Sequence, residues 1–544
     1  MTILASCPQT DLLSPEQIPF DYLAHFDKLK EYFSLPPNIE YVPQVIQFKE
    51  REYRTDRKRL VKVLLHYNAG LSASSQTMEA IKSLQHSSTY AVVTGQQAGL
   101  LTGPAVTIYK ALSVIKLCGL LNERYPSYRF VPVFWAATED SDLSEADNFS
   151  VLSRDDQVKT FRLNLRKNMG RPIGEIGAHE VDRTIINFLE AEFIDSEFKV
   201  DLLGMISDSL AQARTLGDFF SCLIMRLFAE QGLILFDPMK REFKDLAREL
   251  LGKEIEDPLT LTRQVEQAGD ELESLGYMRP ISKTDNACSF FLVEKEGRRQ
   301  VYHGPARGFW TSERGHSRQE LLKILRETPQ KFTTCVYLRP LFQDFLLPTV
   351  VYVGGPGEIN YIAQLKEVYQ ARGMTMPIIY PRASCTLLEP KVTRWLRKYE
   401  IDPLELKGSI HHILKRFNQN SHVDRFQQRH SAILAEMDGM MREVEELDPT
   451  LGKALARSRR TTDKKLREMS KRIEERAAEK GGVEIRQISK LKTHIFPLDR
   501  PQEGVINIFS FLVKGGLDLL NEISEAINVE RPDHPFITYG SRDK

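Results

Sequence analysis

Two distant parts of the chain share one order of hydrophobic and polar positions. In residues 90–138 the apolar run YAVVT is followed by a glycine-rich loop, then by apolar positions at helical spacing and a second apolar run, RFVPVFWAAT. Residues 346–382 repeat this order with LLPTVVYVGG, NYIAQLKEVYQARGM and MPIIYPR. Strand, helix and strand in succession predict parallel strands joined by right-handed crossovers. The pattern therefore predicts an α/β fold with a Rossmann-like parallel-sheet core.

Residues that commonly begin or end helices support these elements. Pro104 suits the first turn of the first helix, and Gly373 is a natural stop for the second. Between the two units, short helical patterns mix with strand-like pieces, and FFLVEKEGRRQVYH predicts a hairpin with EGR in the turn. The region between the units is therefore expected to consist of an insertion and connecting elements.

After residue 390 the pattern changes to long, charged segments with helical periodicity. Apolar residues step by 4, 3, 4 and 3 through Ile433, Met437, Met440, Val444 and Leu447, which is a heptad seam. The tripeptide DPT at 448–450 ends that helix and starts another, whose apolar positions are Leu451, Leu455, Leu466, Met469 and Ile473, up to Gly481 and Gly482. Two helices joined by a tight turn predict an antiparallel α-helical coiled-coil hairpin.

These patterns predict five consecutive segments. They are the first part of the Rossmann-like core (1–148), an insertion with connecting elements (149–329), the second part of the core (330–390), the coiled-coil hairpin (391–482) and a C-terminal segment that packs back on the core (483–544).

Composition narrows the class of protein. The 544 residues are 42% hydrophobic and 27% charged, with 74 basic and 74 acidic side chains, which gives no global reason to bind nucleic acid or a membrane. In the basic stretch RSRRTTDKK acidic residues interleave, so a solvated helix face is favoured over a nucleic-acid arm. No run is long enough to span a bilayer and no secretory signal starts the chain, so we expect a cytoplasmic protein. The six scattered cysteines are expected to be reduced and mostly buried.

Four polar segments follow the four predicted strands: TGQQAG, ATEDSD, GGPGE and YPR. Open parallel sheets bind ligands beyond the carboxyl ends of their strands. We therefore expect all four segments to meet in one crevice. The first of them lacks both the GK[ST] ending of a Walker loop and the GxGxxG spacing of a dinucleotide fingerprint. It is either an anion cradle at a helix N-terminus, with Gln96 and Gln97 as polar contacts, or a purely structural turn.

The other segments also have two interpretations each. Glu139, Asp140 and Asp142 suit either a general base or a Mg²⁺ site, but two of them would serve equally well as caps of the next helix. Arg339 and Asp344 are placed to clamp the carboxylate and the amine of an amino acid, or to pair with each other. Glu358 is either a helix cap or a contact for a substrate amine. Lys110 and Lys366 lie on predicted helices and are expected to be solvated.

These stretches together resemble the bacillithiol-biosynthesis cysteine-adding enzyme family (BshC, a cysteine ligase). The likeness rests on TGQQAGLLTGP, VPVFWAATED, LRPLFQDFLLPTVVYVGGPGEINYIAQLKEVY, MPIIYPR, the coiled-coil hairpin and KLKTHIFP…QEGVINIFSFL, nearly the full length. The resemblance implies that cysteine is joined to glucosaminyl-malate by an amide bond, the last step of bacillithiol biosynthesis. It also implies a homodimer formed through the coiled coil, and carboxyl activation that points to ATP with Mg²⁺ and to no permanently bound cofactor.

Site residues carry over from the family by position. The resemblance implies catalytic roles for Glu139, Asp140 and Asp142 and no metal held by the protein. It implies substrate or nucleotide binding by residues of the first loop and of the second half of the site: Thr94, Gly95, Gln96, Gln97, Gly99, Gly103, Arg339, Gln343, Asp344, Gly355, Gly357, Glu358, Tyr361 and Arg382.

The chain departs from the family pattern at two positions. The family pattern has histidine after the ED pair and again after a later asparagine, whereas this chain has Ser141 and Phe149. The substitution leaves an alternative in which the chain is a non-catalytic coiled-coil dimer scaffold with a vestigial ligand crevice. A nicotinamide-dependent oxidoreductase is a third hypothesis, which the missing dinucleotide fingerprint disfavours.

Overall fold

The structure is a computed structural model that describes residues 1–417, 422–480 and 482–540. The chain forms two compact units. Unit 1 contains residues 1–154, 159–386 and 503–537, and unit 2 contains residues 155–158, 387–502 and 538–544, the last of these described to residue 540.

The strands of the described residues are, in chain order, β1 (Thr2–Pro8), β2 (Thr89–Gln97), β3 (Arg129–Ala137), β4 (Asn148–Leu152), β5 (Val158–Arg162), β6 (Ile234–Phe236), β7 (Ala287–Glu294), β8 (Gly297–Gly304), β9 (Gly308–Trp310), β10 (Gly315–His316), β11 (Phe332–Thr334), β12 (Thr349–Gly354), β13 (Ile378–Pro381), β14 (Thr386–Leu388) and β15 (Asp533–Thr538).

The α-helices, again in chain order, are α1 (Ile18–Ala24), α2 (Val42–Glu52), α3 (Arg57–Gly70), α4 (Ser75–Ser83), α5 (Val106–Arg124), α6 (Leu143–Ala146), α7 (Thr184–Glu192), α8 (Lys199–Gln212), α9 (Leu216–Leu227), α10 (Arg241–Leu246), α11 (Arg248–Glu256), α12 (Thr260–Ser274), α13 (Arg318–Glu327), α14 (Leu338–Leu346), α15 (Pro356–Ile362), α16 (Lys366–Gln370), α17 (Pro390–Tyr399), α18 (His411–Phe417), α19 (His422–Leu447), α20 (Pro449–Lys480), α21 (Val483–Ile495), α22 (Phe509–Gly515) and α23 (Asp518–Ala526).

The core of unit 1 is a parallel sheet of five strands in the order β13-β12-β2-β3-β6. Read from the β6 edge and numbered along the chain, this is the Rossmann order 3-2-1-4-5. The predicted parallel core is confirmed, together with its helix α5 and its strands β2, β3, β12 and β13. Strand β6 was not predicted, and it comes from the segment expected to be an insertion.

Apolar side chains on both faces explain why these strands are central. Val92 and Val93 of β2 and Val133 and Phe134 of β3 are fully buried, as expected of a sheet covered by helices on both sides. Trp135 stacks on Phe236 of β6 with ring centroids 4.4 Å apart. That contact ties the short edge strand to the centre of the sheet.

The insertion also carries a second sheet, in the order β10-β9-β8-β7-β11. Strands β7 and β8 form the predicted antiparallel hairpin, and Glu294 lies opposite Gly297. The turn is Lys295–Glu296, one residue earlier than expected, and Gly297 has a φ of +115°, which a residue with a side chain rarely adopts.

The prediction of a single helix after β12 is wrong. The chain forms α15 and α16 with a break at 363–365. Gln364 is fully buried there, donates from Nε2 to the carbonyls of Val265 and Ile281, and accepts from the Ile281 amide. These tertiary hydrogen bonds favour the break over helix propensity. Gly373, the predicted stop, has a φ of +67°.

Unit 2 contains the predicted hairpin. Helix α19 ends at Leu447 and α20 begins at Pro449. His430 contacts Asp463 at 2.9 Å and Arg459 contacts Asp438 at 2.5 Å, a pairing that runs in opposite directions along the two helices and so confirms the antiparallel arrangement. Of the two predicted terminal glycines, Gly481 lies outside the described residues.

Two further observations bear on the class of protein. No helix in the described part of the chain is long and apolar enough to cross a membrane. All six cysteines lie in that part, are buried, and form no disulfide with one another. Burial raises the pKa of the Cys335 thiol to about 11, so this thiol is protonated at neutral pH.

Candidate active site at the switch point of the sheet

The parallel sheet changes direction between β2 and β12. From β2 the chain crosses to β3 on one side, and from β12 it crosses to β13 on the other. The segments that leave these two neighbouring strands therefore diverge and open a crevice, which is the usual ligand position in such sheets. All four predicted polar segments leave the carboxyl ends of this sheet, as expected.

A buried lysine bridges the switch point. Lys110 of α5 donates from Nζ to the Gly95 carbonyl at 2.7 Å and to Gln96 Oε1 at 2.8 Å. It also forms an ion pair with Glu358. Burial lowers the pKa of Lys110, and Glu358 opposes that shift. The prediction that Lys110 is solvated is therefore wrong, because helix α5 turns this face onto the sheet. Lys366 is partly exposed and donates to the Glu31 carbonyl at 2.9 Å.

Glu358 is held from three directions. Its Oε2 accepts the Gly355 amide at 2.8 Å, and its Oε1 accepts the Tyr352 hydroxyl. Burial raises the pKa of Glu358, but Lys110, the Gly355 amide and Tyr352 together bring it below its ordinary value. The capping interpretation of Glu358 is confirmed. Glu358 both caps α15 and forms the ion pair with Lys110. It therefore connects the segment after β12 with the segment after β2.

The three carboxylates after β3 point to different partners. Glu139 is buried, pairs with Lys244, and accepts from Thr334 Oγ1 at 2.6 Å and from the Thr334 amide at 3.2 Å. Asp142 caps α6 by accepting from the Ser144 amide at 2.9 Å. Only Asp140 of the three lies in the crevice between basic side chains. Within the described residues no group of three or more His, Cys, Asp or Glu side chains is placed to hold a metal ion.

Two arginines flank Asp140. Arg298 Nη1 lies 4.0 Å from Asp140 Oδ1, and Arg339 Nη1 lies 4.0 Å from Oδ2. The Asp140 carboxylate also accepts from the Ser141 amide at 2.7 Å, which fixes its direction. Tyr361 hydrogen-bonds Arg339. Sequence reasoning missed Arg298, because β8 carries adjacent arginines and only the fold shows which of them faces the crevice.

The first loop begins later than predicted. Strand β2 continues through Gln97, paired with β3. Gly95 packs closely against β3, since a Cβ there would lie 3.2 Å from Trp135 Cβ, which is tighter than an ordinary contact. Thr94 Oγ1 donates to the Val353 carbonyl at 2.7 Å, and Gln97 Nε2 donates to the Asp142 carbonyl at 2.7 Å. These contacts assign Thr94, Gly95 and Gln97 structural tasks at the edge of the crevice.

The remainder of the loop is a tight left-handed turn. Leu101, Thr102 and Gly103 have φ values of 51°, 67° and 68°. Asn507 donates from Nδ2 to the carbonyls of Leu101 and Gly103, both at 2.6 Å. A Cβ on Gly99 would lie 3.3 Å from Gly103 Cα. The turn is thus held by a C-terminal residue that sequence reasoning did not select.

Gln343 and Asp344 are not brought into the crevice. They lie beyond Arg339 on α14, and five residues of helix separate Arg339 from Asp344 by about 7.5 Å along the axis and turn them apart. Asp344 is buried, accepts from Tyr369 at 2.5 Å and from Gln343 Nε2 at 3.1 Å, and sits beside Thr349 at the start of β12. Neither the clamp nor the ion pair predicted for Arg339 and Asp344 is formed.

Arg382 supports the crevice from behind. It donates from Nη2 to Glu503 Oε1 at 2.6 Å and from Nη1 to the Ala383 carbonyl at 2.9 Å. A Cβ on Gly355 would lie 3.2 Å from Arg382 Nε, whereas one on Gly357 would meet nothing within 4 Å. Glu503 also accepts from Ser384, whose hydroxyl contacts His534 Nδ1 at 2.6 Å.

The two positions that depart from the family pattern have different surroundings. Ser141 is half-buried and its amide donates to Asp140. Phe149 packs in a cluster with Phe161 and Phe188, with ring centroids 5.5 and 5.9 Å away. Of the two, only Ser141 adjoins the crevice.

Comparison with known proteins agrees with this architecture. The family model for the BshC N-terminal Rossmann-like domain of bacillithiol biosynthesis matches residues 6–383, and that for the BshC C-terminal coiled-coil domain matches residues 385–539. A protein of Chlorobaculum tepidum named "Putative cysteine ligase BshC" is 31% identical over 87% of this chain and 86% of its own length. Proteins of the same name from Chloroherpeton thalassium (32% identical, 88% of both chains) and Salinibacter ruber (29%, 95% of both) are similarly close. The chain therefore belongs to the BshC family of bacillithiol biosynthesis.

Proposed function

We propose that this protein is a ligase that joins L-cysteine to the amine of glucosaminyl-malate by an amide bond, completing bacillithiol. One observation carries the proposal beyond the family relationship. A directed carboxylate, Asp140, lies between two guanidinium groups at the switch point of a Rossmann-like sheet. This arrangement suits a substrate that carries an amine close to anionic groups.

The chemistry requires an activated carboxyl group. The amine of the sugar must be unprotonated to attack, and the carboxylate of cysteine is unreactive until it is converted to a mixed anhydride or a similar acyl donor. Asp140 would accept a hydrogen bond from the neutral amine and take the proton that its nitrogen loses as the amide bond forms and the activating group leaves the cysteine carbonyl. Because Ser141 replaces the family histidine, Asp140 is the acid–base group that this chain itself supplies at the position.

ATP is the proposed activating donor. The glycine-rich segment after β2 leads to the N-terminus of helix α5, and helix N-termini attract phosphate groups. Among the residues that the structure describes, no group of three or more His, Cys, Asp or Glu side chains is placed to hold a metal ion, and Mg²⁺ commonly takes much of its coordination from substrate phosphates. We therefore propose that magnesium is bound by the nucleotide phosphates and is not resident in the protein.

A homodimer through the coiled coil is part of the proposal. Apolar residues of both helices remain 43–50% exposed in the hairpin of one chain: Ile433 and Met440 of the heptad seam, and Leu451 and Met469 of the second helix. Apolar side chains in register along two packed helices are typical of a surface covered by further helices. A second copy of the hairpin would cover them.

A product assay tests the function. The purified dimer would receive cysteine and glucosaminyl-malate, with and without ATP and Mg²⁺, and products would be read by mass spectrometry. We expect ATP-dependent bacillithiol from the wild type, a loss of at least about 100-fold in Asp140→Asn, and activity near wild type in the control Asp142→Asn. A folded dimer that binds both substrates but yields no product under any condition would favour the non-catalytic scaffold, the interpretation that Ser141 supports.

A further inference from the structure

We infer that Arg298, together with Arg339, forms a carboxylate subsite that recognises the malyl group of the acceptor. The inference rests on the proposed function and goes beyond it, because it assigns one substrate group to one pair of side chains. Arg298 comes from the hairpin of the insertion, far in sequence from both halves of the Rossmann-like core.

Arg298 is fixed before any ligand arrives. Its Nε donates to Thr333 Oγ1 at 2.9 Å and its Nη2 donates to the Thr334 carbonyl at 2.7 Å. Its guanidinium plane lies over the Phe291 ring, 3.8 Å from the centroid. Only 11% of the side chain is exposed. These contacts leave Nη1 directed at the crevice, and a preorganised guanidinium loses little entropy when it binds a carboxylate.

The buried pair beneath it sets this position. Glu139 accepts both the amide and the hydroxyl of Thr334, and Lys244 neutralises Glu139. Because Arg298 is held by the carbonyl of that same Thr334, the Glu139–Lys244 pair positions Arg298 without touching a ligand. Glu139 is therefore a positioning residue and not a catalytic one.

The charges around Asp140 leave room for an anion. Two guanidinium groups face one carboxylate, and each of the two distances is 4.0 Å, whereas a charged N–H···O hydrogen bond is about 2.7–2.9 Å long. Neither arginine is saturated by Asp140, so both retain donors for ligand oxygens. Arg298, Arg339 and Asp140 together carry one net positive charge, and 33% of the Asp140 side chain is exposed.

The malyl group is the substrate anion that fits this arrangement. It carries two carboxylates, matching two guanidinium forks. In a glucosaminyl glycoside the amine and the glycosidic oxygen sit on neighbouring ring carbons, so an amine at Asp140 places the malyl group beside the flanking arginines. Cysteine has a single carboxyl group, which must be free to react. A nucleotide phosphate is the competing occupant and forms one outcome of the test.

A matched pair of arginines tests the subsite. Arg299 is the next residue of the same strand, but it is paired with Glu296 and Glu313 at 2.9 and 3.0 Å. We expect Arg298→Met to raise the KM for glucosaminyl-malate by about 10- to 100-fold, with the KM values for cysteine and ATP changed by less than about twofold. Arg299→Met should leave all three near wild type. With methyl glucosaminide, an acceptor without carboxylates, wild type and Arg298→Met should be nearly equal.

Three outcomes would overturn the inference: an unchanged KM for glucosaminyl-malate, equal loss with the two acceptors, or a rise confined to the KM for ATP, which would assign the arginines to phosphate. Arg298→Lys keeps the positive charge but lacks the planar guanidinium group. Its thermal unfolding midpoint shows whether a loss of binding comes from misfolding or from loss of that group. Protection of the wild type by L-malate in a thermal-shift titration, absent in Arg298→Met and retained in Arg299→Met, reports on the subsite without turnover. An inactive wild type that shows this pattern would disprove the ligase and leave the subsite standing.

Discussion

Replacing Lys110 by methionine removes the cation from a buried ion pair and leaves its anion in place. Glu358 would keep the Gly355 amide and the Tyr352 hydroxyl but lose its only ion-pair partner among the described residues. The Gly95 carbonyl and Gln96 Oε1 would lose a charged donor at the same time. Removing one partner of a buried pair costs about 3–5 kcal/mol. Since 18% of the Glu358 side chain is exposed, we expect a value near the lower end, about 3 kcal/mol.

The double variant Lys110→Met/Glu358→Gln separates charge from packing. It removes both charges while the amide keeps hydrogen-bonding capacity toward Gly355 and Tyr352, so most of the lost stability should return. Urea unfolding would be followed by Trp135 fluorescence in a background with Trp310 and Trp395 replaced by phenylalanine. Trp135 lies in β3, stacked on β6, so it reports on the parallel sheet and not on unit 2.

A cost below about 1 kcal/mol for Lys110→Met, typical of exposed pairs, would refute the reasoning, as would a double variant no more stable than the single one. The pH dependence gives a second check. The folded-state pKa of Glu358 lies below its ordinary value, with Lys110 the strongest of the groups that lower it. The unfolded state therefore binds more protons in acid, and the stability from Glu358 is lost as pH falls through the folded-state pKa. This acid loss should be smaller in Lys110→Met.

Further predictions follow from the other buried groups and glycines. Glu139→Gln leaves the Lys244 cation buried without its partner and should destabilise the sheet by about 3–5 kcal/mol. Asp140→Asn should change urea stability by less than about 1 kcal/mol while it lowers turnover at least about 100-fold; equal stabilities of the two variants would contradict the assignment of Glu139, and not Asp140, to the buried ion pair. Burial lowers the pKa of His534 to about 4, so stability should fall by up to about 3 kcal/mol as pH drops from about 6.5 to 4, and denaturation midpoints of His534→Asn should lack this dependence. Gly103→Ala should lower the free energy of unfolding by about 1–2 kcal/mol, because Gly103 has a positive φ. Gly357→Ala, in a helix with open space around it, should raise the free energy of unfolding by up to about 1 kcal/mol. A loss of turnover in Gly357→Ala with intact stability would support a ligand contact there.

The sequence predicts the strands that surround this site because each strand is encoded by a local run of residues. Runs of apolar, largely β-branched and aromatic residues define β2, β3, β12 and β13. Parallel connections then place the polar segments after these strands at one edge of the sheet. The helix after β12 was mispredicted because Gln364 binds backbone more than eighty residues away. Strand β6 was missed since three apolar residues, ILF, carry no period that distinguishes a strand from part of a helix.

What the sequence does not predict is which polar side chain receives which partner. Glu139, Asp140 and Asp142 are nearly adjacent, yet one pairs with Lys244, one faces two arginines and one caps a helix. The partners of the first two come from the insertion and from α14, and no local pattern joins those segments to β3. The burial of Lys110 is likewise not encoded locally, because the anion that stabilises a buried lysine there is Glu358, which lies beyond the neighbouring strand. The partners that give Asp140 its setting thus lie on segments remote in sequence, and a change in the insertion, such as one at Arg298, is expected to alter acceptor recognition without altering the Rossmann-like sheet.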